Sequence, residues 1–203
     1  AKKTFKDLRL LLGRKVSLST GLLLLTVAAL DQDDVDVASR GLILIDLRRY
    51  LPKGVTTFAN FITAVRIPLT EPVAMAEPIS RWMREVLEVG RPLVSLVVNE
   101  ARGKLLSFRR SPSEPESAPS DEPVTVSVSS LGVLRSIERL PWRKNAKKEI
   151  EIVGDAVDRN SIGFITFVSG GKLMLSVSFQ PERIPVDTME RVLQRMAATP
   201  LDV

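Results

Sequence analysis

The nine residues Leu22-Leu23-Leu24-Leu25-Thr26-Val27-Ala28-Ala29-Leu30 constrain the fold of this chain more than any other stretch. Ser17 or Ser19 can cap a helix that runs through them. Such a helix carries apolar side chains on nearly every side, so it has no face to give to water and must be enclosed by other elements. Burying its four consecutive leucines stabilises by about 6–12 kcal/mol before entropy is counted. Something large has to cover it. The apolar run is only about half as long as a bilayer span requires and lies inside the chain, where a signal peptide is not expected. The expected protein is therefore soluble and cytoplasmic, with no transmembrane segment.

The remaining patterns supply that cover. Before the leucine run, Phe5, Leu8, Leu11 and Leu12 have the spacing of an amphipathic helix, with Gly13 as its stop. After it, Leu42-Ile43-Leu44-Ile45 reads as a strand buried on both faces, closed by a turn at Pro52-Lys53-Gly54. A second strand-like segment covers residues 56–69. Ile79, Trp82, Met83, Val86 and Leu87 then mark one face of a helix ending at Gly90. Residues 93–98 are open between strand and helix, as short apolar runs are.

Residues 110–123 are rich in Ser, Pro and Glu and nearly free of apolar side chains, which predicts a mobile surface loop. Beyond it, 149–154 alternates as a strand. Residues 161–168 and 173–179 form a hairpin about Ser169-Gly170-Gly171-Lys172. Met189, Val192, Leu193 and Met196 stripe a last helix, capped by Asp187 or Thr188. Strands and helices mixed in this order predict a single α/β unit over residues 1–203, a two-layer sandwich of a mixed sheet with helices packed on it.

The segment with most chemical interest is residues 124–134, Val-Thr-Val-Ser-Val-Ser-Ser-Leu-Gly-Val-Leu. Its β-branched residues alternate as a strand, and Ser-Ser-Leu-Gly then reads as a turn that ends it. Such a turn brings the hydroxyls of Ser129 and Ser130 and the open backbone of Gly132 to a strand end, where α/β proteins place ligands. Hydroxyls and amides of this kind, with Asn60 in the earlier strand, can stabilise an oxyanion or line a channel. They do not abstract protons well.

Composition narrows the chemistry further. The chain has no histidine and no cysteine. Histidine bases, Ser-His-Asp triads, thiolate nucleophiles and His or Cys metal ligands are thus excluded from it, and disulfides with them. Asp31, Asp33, Asp34 and Asp36 crowd like a calcium loop but lack its closing glutamate and central glycine, so no metal site is expected. No Walker-type glycine loop or G-x-S-x-G elbow is present. The formal charge is +5, and the one dense basic cluster is Arg143, Lys144, Lys147 and Lys148. It reads either as a solvated basic loop or as a dock for a phosphate-bearing partner, coenzyme A or a carrier protein. A single tyrosine and two tryptophans leave no aromatic interleaving for stacking bases, so nucleic acid is not an expected partner.

Three segments carry a family resemblance. Ile45-Asp46-Leu47-Arg48-Arg49-Tyr50-Leu51-Pro52 resembles a "v-D-l-R" strand end. The strand over 57–67 has Asn60 where relatives often carry a Gly-Asn pair. Val126-Ser127-Val128-Ser129-Ser130-Leu131-Gly132 resembles a Ser-Asn-Leu-Gly turn, with Ser130 replacing the asparagine. With the closing hairpin and helix, the chain resembles the C-terminal half of the chloramphenicol acetyltransferase-like superfamily. That superfamily includes condensation domains, polyketide-associated acyltransferases and alcohol acetyltransferases. The Asp-Phe-Gly-Trp-Gly segment of the plant branch is absent.

The resemblance implies an active-site tunnel between two halves of related fold. It implies acyl transfer from a coenzyme A or carrier-protein thioester, a co-substrate and not a bound cofactor, to an alcohol or, less readily, an amine. It gives Ser129, Ser130, Gly132 and Asn60 places along the channel and Asp46 and Arg48 structural roles. The general base is the histidine of His-x-x-x-Asp in the N-terminal half. With no histidine here, this chain is expected to be catalytically incomplete and to need a complementary half, separate or cleaved; its start at Ala1-Lys2-Lys3 without methionine fits a processed product. The alternative is the same half-fold serving as a non-catalytic interaction module.

Overall fold

The structure, a computed structural model, describes residues 16–55, 62–69, 76–94, 97–98, 122–134, 152, 154, 160–169 and 171–198. The leucine run forms helix α1, Leu18–Asp31. Ser17 caps it as expected, its Oγ accepting from the Thr20 N–H at 3.1 Å. The Ser17 N–H in turn donates to Ser80 Oγ at 3.0 Å, which ties the start of α1 to a second helix, α2, Ala76–Glu88. Within α1, Leu23 and Leu30 are fully shielded, and Leu22, Leu24, Leu25 and Val27 nearly so. Thr26 is just as buried, and its hydroxyl donates back to Leu22 O at 2.8 Å, so no polar group is left stranded.

The cover is a five-stranded mixed sheet with strand order β2-β1-β3-β4-β5. The strands are β1 Arg40–Asp46, β2 Ile62–Pro68, β3 Thr125–Val133, β4 Ser161–Ser169 and β5 Lys172–Ser178. β1, β3 and β4 run parallel, while β2 and β5 lie antiparallel at the two edges. A third helix, α3, Val186–Ala198, packs beside α1. Because α1 touches β1, β3, α2 and α3, the three helices form one layer on one face of the sheet. The α/β sandwich with a mixed sheet is therefore the observed architecture.

Register assigns the two faces. Val65, Ile43, Val128, Phe164 and Val177 align across the sheet under the helices, and Ile43, Val128 and Phe164 are fully buried there. Gly41 belongs to this face, and a Cβ on it would lie 2.8 Å from Leu23 Cδ1. The glycine thus lets α1 settle onto β1. The opposite face carries Leu42 and Leu44, which stay partly exposed. The expectation of a strand buried on both faces is corrected accordingly: the helix layer covers only one.

Other expectations also shift. β3 continues through Ser129-Ser130-Leu131-Gly132 to Val133, with a register irregularity between Ser130 and Val133 and Gly132 at φ 69°. The glycine makes a bulge within the strand, where a turn ending the strand was expected. Residues 91–94 and 97–98 are helical, so of the segment left open over 93–98 the described part is helix. α3 begins at Val186, so Asp187 and Thr188 fall within its first turn and do not cap it, while the stripe of Met189, Val192 and Met196 is buried as expected. The β4–β5 hairpin forms, with Gly171 at φ 72°. Ile152 and Gly154 lie outside regular structure, and the rest of the strand expected over 149–154 falls outside the described residues. So do the expected helix at residues 4–12 and all of the loop at 110–123 except Glu122 and Pro123. Among the described residues no helix is long and apolar enough to cross a membrane.

One carboxylate joins the helix layer at its far end. Asp33, whose side chain is only 8% exposed, accepts from Arg191 Nε at 3.1 Å and pairs with Arg195 Nη1. The Asp33 carboxylate holds the Arg191 guanidinium more firmly protonated than usual. Two expected outcomes follow for chemical denaturation. Gly41→Val should lower stability by about 1–3 kcal/mol through overpacking against Leu23. Asp33→Ala should cost a similar ~1–3 kcal/mol by removing the shared acceptor between α1 and α3. Unchanged midpoints in either variant would contradict this packing.

Candidate functional site

The carboxyl ends of the parallel strands β1, β3 and β4 bring the described candidates, Asp46, Arg48, Ser129, Ser130 and Gly132, to one rim of the sheet. β1 ends at Asp46, and a single 3₁₀ turn, Leu47–Tyr50, follows it. Asp46 Oδ1 accepts from the Arg48 N–H at 2.9 Å and so caps that turn. The Arg48 side chain returns to the same carboxylate, Nε at 2.9 Å from both oxygens and Nη2 at 2.6 Å from Oδ2. This forked pair locks the strand end. The Arg48 hydrogen bonds hold the Asp46 carboxyl below the usual carboxylate range, against a smaller opposing effect of burial, and Asp46 raises Arg48 in return. Tyr50 anchors the turn to the helix layer, its hydroxyl donating to Leu87 O at 2.6 Å.

On β3, Ser129 lies opposite Leu44 of β1 and Ile165 of β4, and Ser130 lies opposite Thr166. Consecutive strand residues point to opposite faces. Ser130 therefore sits at the end of the helix-covered face, and Ser129 belongs to the other. The two hydroxyls cannot converge on one oxygen. Thr166 Oγ1 donates to Ser129 O at 3.3 Å and helps hold the register here. Gly132 opens the strand next to them, with no atom within 4 Å of where a Cβ would sit. Around the bulge the rim is apolar and accessible: Leu131 is 43% exposed, Val133 50%, Met174 39% and Leu175 37%.

The face opposite α1, α2 and α3 has a pattern that residue-by-residue reading of the sequence missed. Register aligns Ser127, Gly163 and Ser178 in one row and Ser129, Ile165 and Ser176 in the next. The period-two serines of β3 and β5 were visible as a signal, but only the pairing makes them neighbours. Ser127 is not available for chemistry, since its hydroxyl is buried and donates to Ile162 O at 3.2 Å. Ser178 donates to Gly154 O. A Cβ on Gly154 would lie 2.6 Å from Ile165 Cδ1, so the backbone at 154 crosses this face directly over β4.

Of the other candidates, Asn60 and the basic cluster Arg143, Lys144, Lys147 and Lys148 lie outside the described residues. Among the described residues no group of three acidic side chains could hold a metal ion, and Asp33 of the acidic turn is engaged by α3. Chemically, the rim offers neutral hydroxyls, free backbone at a bulge, and a carboxylate already committed to a guanidinium. It can bind and polarise. Among the described residues its carboxylate, Asp46, is committed to Arg48, and the chain has no histidine to take a proton. The fold and rim together define the class: an α/β protein built on a five-stranded mixed sheet with α1, α2 and α3 packed on one face. No family model matches the sequence, and no curated protein matches it.

The Asp46–Arg48 pair makes a pH prediction. A depressed carboxyl pKa adds stability that is complete above the ordinary aspartate value of about 3.9 and is lost as pH falls through the lower folded value. Carboxyl-detected NMR should find Asp46 titrating below the ordinary range, and Arg48→Ala should return it upward. Titration of Asp46 in the ordinary range in the unsubstituted protein would contradict the pairing.

Proposed function

We propose that this chain forms one half of an acyltransferase, with the rim at the ends of β1 and β3 as its contribution to an acyl-transfer channel. The reaction would move an acyl group from a coenzyme A or carrier-protein thioester to an alcohol. The general base would be a histidine of a complementary chain. The observation that carries this reading is the rim itself: a glycine bulge, two serines and exposed apolar side chains meet at the end of the parallel strands, in a chain that has no histidine. The mixed sheet with one helix layer is the architecture the resemblance implies. The exposed Leu131, Val133, Met174 and Leu175 are the kind of surface a second half would cover.

Geometry sharpens the roles. Ser129 and Ser130 face opposite ways, so at most one of them can polarise a given oxyanion. Gly132 would let a substrate approach the backbone where a side chain would block it. A second reading, a non-catalytic module with the same covered surface, draws on the state of Asp46, which is tied to Arg48 and unable to serve as a base.

Co-purification from the native source, followed by mass spectrometry, tests the reading. A stable complex with a chain carrying His-x-x-x-Asp is expected, and that complex should transfer acyl groups. In it, one of Ser129→Ala and Ser130→Ala should lower kcat/KM by roughly tenfold or more, the scale of a lost oxyanion donor, and the other should have little effect. A complex without transfer activity supports the module. A chain that purifies alone and transfers acyl groups unaided rules out the half-enzyme.

A further inference from the structure

A second surface lies away from this rim, along the outer side of β2. A cleft of about 590 Å³ is walled by Leu42, Ala64 and Val65 from the sheet and by Val86, Pro92 and Val94 from α2 and the helical turn after it. That volume is within the ~300–1,000 Å³ of small-molecule sites. Arg66, Arg91 and Trp82 line the same cleft. A neighbouring hollow, lined by Arg40, Pro68 and Ile79, shares Arg66 and Trp82 with it, so the two adjoin along one groove. Trp82 is 37% exposed although it stands on the face of α2 that otherwise buries Ile79, Met83 and Val86.

The cations of this groove differ from other arginines of the fold. Arg48, Arg81, Arg191 and Arg195 each pair with a carboxylate. Arg40, Arg66 and Arg91 have neither an ion pair nor a side-chain hydrogen bond among the described residues. An unpaired guanidinium beside apolar walls keeps its charge and its forked donors, which match a carboxylate or phosphate in two-point contact. The apolar walls and the half-covered indole suit a hydrocarbon chain.

We infer that this groove binds an anionic amphiphile, an aliphatic chain with a terminal carboxylate or phosphate, its chain against Trp82 and its head on Arg66 and Arg91. The groove lies along the edge strand β2, whereas Ser129 and Gly132 are two strands away on β3. The inference therefore stands without the acyltransferase reading, and either can fail alone.

Trp82 supplies the readout. In a Trp142→Phe background it is the sole indole of the chain. Dodecanoate, dodecyl phosphate, dodecanol and inorganic phosphate would each be titrated, below micellar concentrations, with tryptophan emission followed. The expected result is a saturable change with the two amphiphilic anions, whose relative affinities tell a carboxylate head from a phosphate head. Dodecanol should bind roughly tenfold or more weakly, and inorganic phosphate should leave emission unchanged. The double variant Arg66→Ala with Arg91→Ala should lose roughly tenfold or more of the affinity for the anions. Arg66→Lys with Arg91 intact should retain part of it. These side chains are exposed, so circular dichroism should be unaltered. Dodecanol binding as tightly as dodecanoate, arginine variants with undiminished affinity, or phosphate alone giving the full response would each overturn the inference.

Discussion

The close seating of α1 on β1 is the contact on which the rest of the structure depends. An all-round apolar helix cannot lie at a surface, and here it is met from four directions: the sheet beneath, α2 and α3 on either side, and its own capped ends. Gly41 permits the approach by leaving room for Leu23 where any side chain would collide. From this follow the unequal faces of the sheet. One is filled by Ile43, Val128 and Phe164 against the helix, and the other keeps serines, a glycine and partly exposed leucines. Asp33, just past the end of α1, extends the same logic by drawing two arginines of α3 onto one carboxylate.

Elements whose signals are local were legible in the sequence. The leucine helix and its Ser17 cap, the buried stripe of α3 and the Gly-Gly hairpin all depend on periodicity or turn chemistry within a few residues, and each appears in the structure. What depends on neighbours was not legible. Leu42-Ile43-Leu44-Ile45 is the same string whether one face or both are covered, and only the placement of three helices on one side decides it. Ser-Ser-Leu-Gly could end a strand or bulge within it, since glycine serves both. The parallel pairing of β3 with β4 carries the chain on past the bulge. Ser129 and Ser130 looked like a pair because they are adjacent in sequence. The continued strand sets them on opposite faces for the same reason.

The rim and the groove suit different chemistry. The rim has neutral donors, a bulge and an apolar border, suited to binding and polarising a group. The groove beside β2 has fixed positive charge and an aromatic wall, suited to retaining a charged, chain-bearing molecule without reacting with it. Histidine can serve in neither, because the chain has none. The rim's described carboxylate, Asp46, is held by Arg48.

The central claim is that the chain supplies a binding wall and takes its base from elsewhere. The most direct measurement is the pH dependence of acyl transfer from an acyl thioester to an alcohol, for the isolated chain and for the chain with its complementary half. The account predicts no turnover above the uncatalysed rate for the isolated chain at any pH. For the complex it predicts a rate that rises with pH through the titration of a histidine near 6.5, roughly the value of an unperturbed imidazole. Turnover by the isolated chain would contradict it.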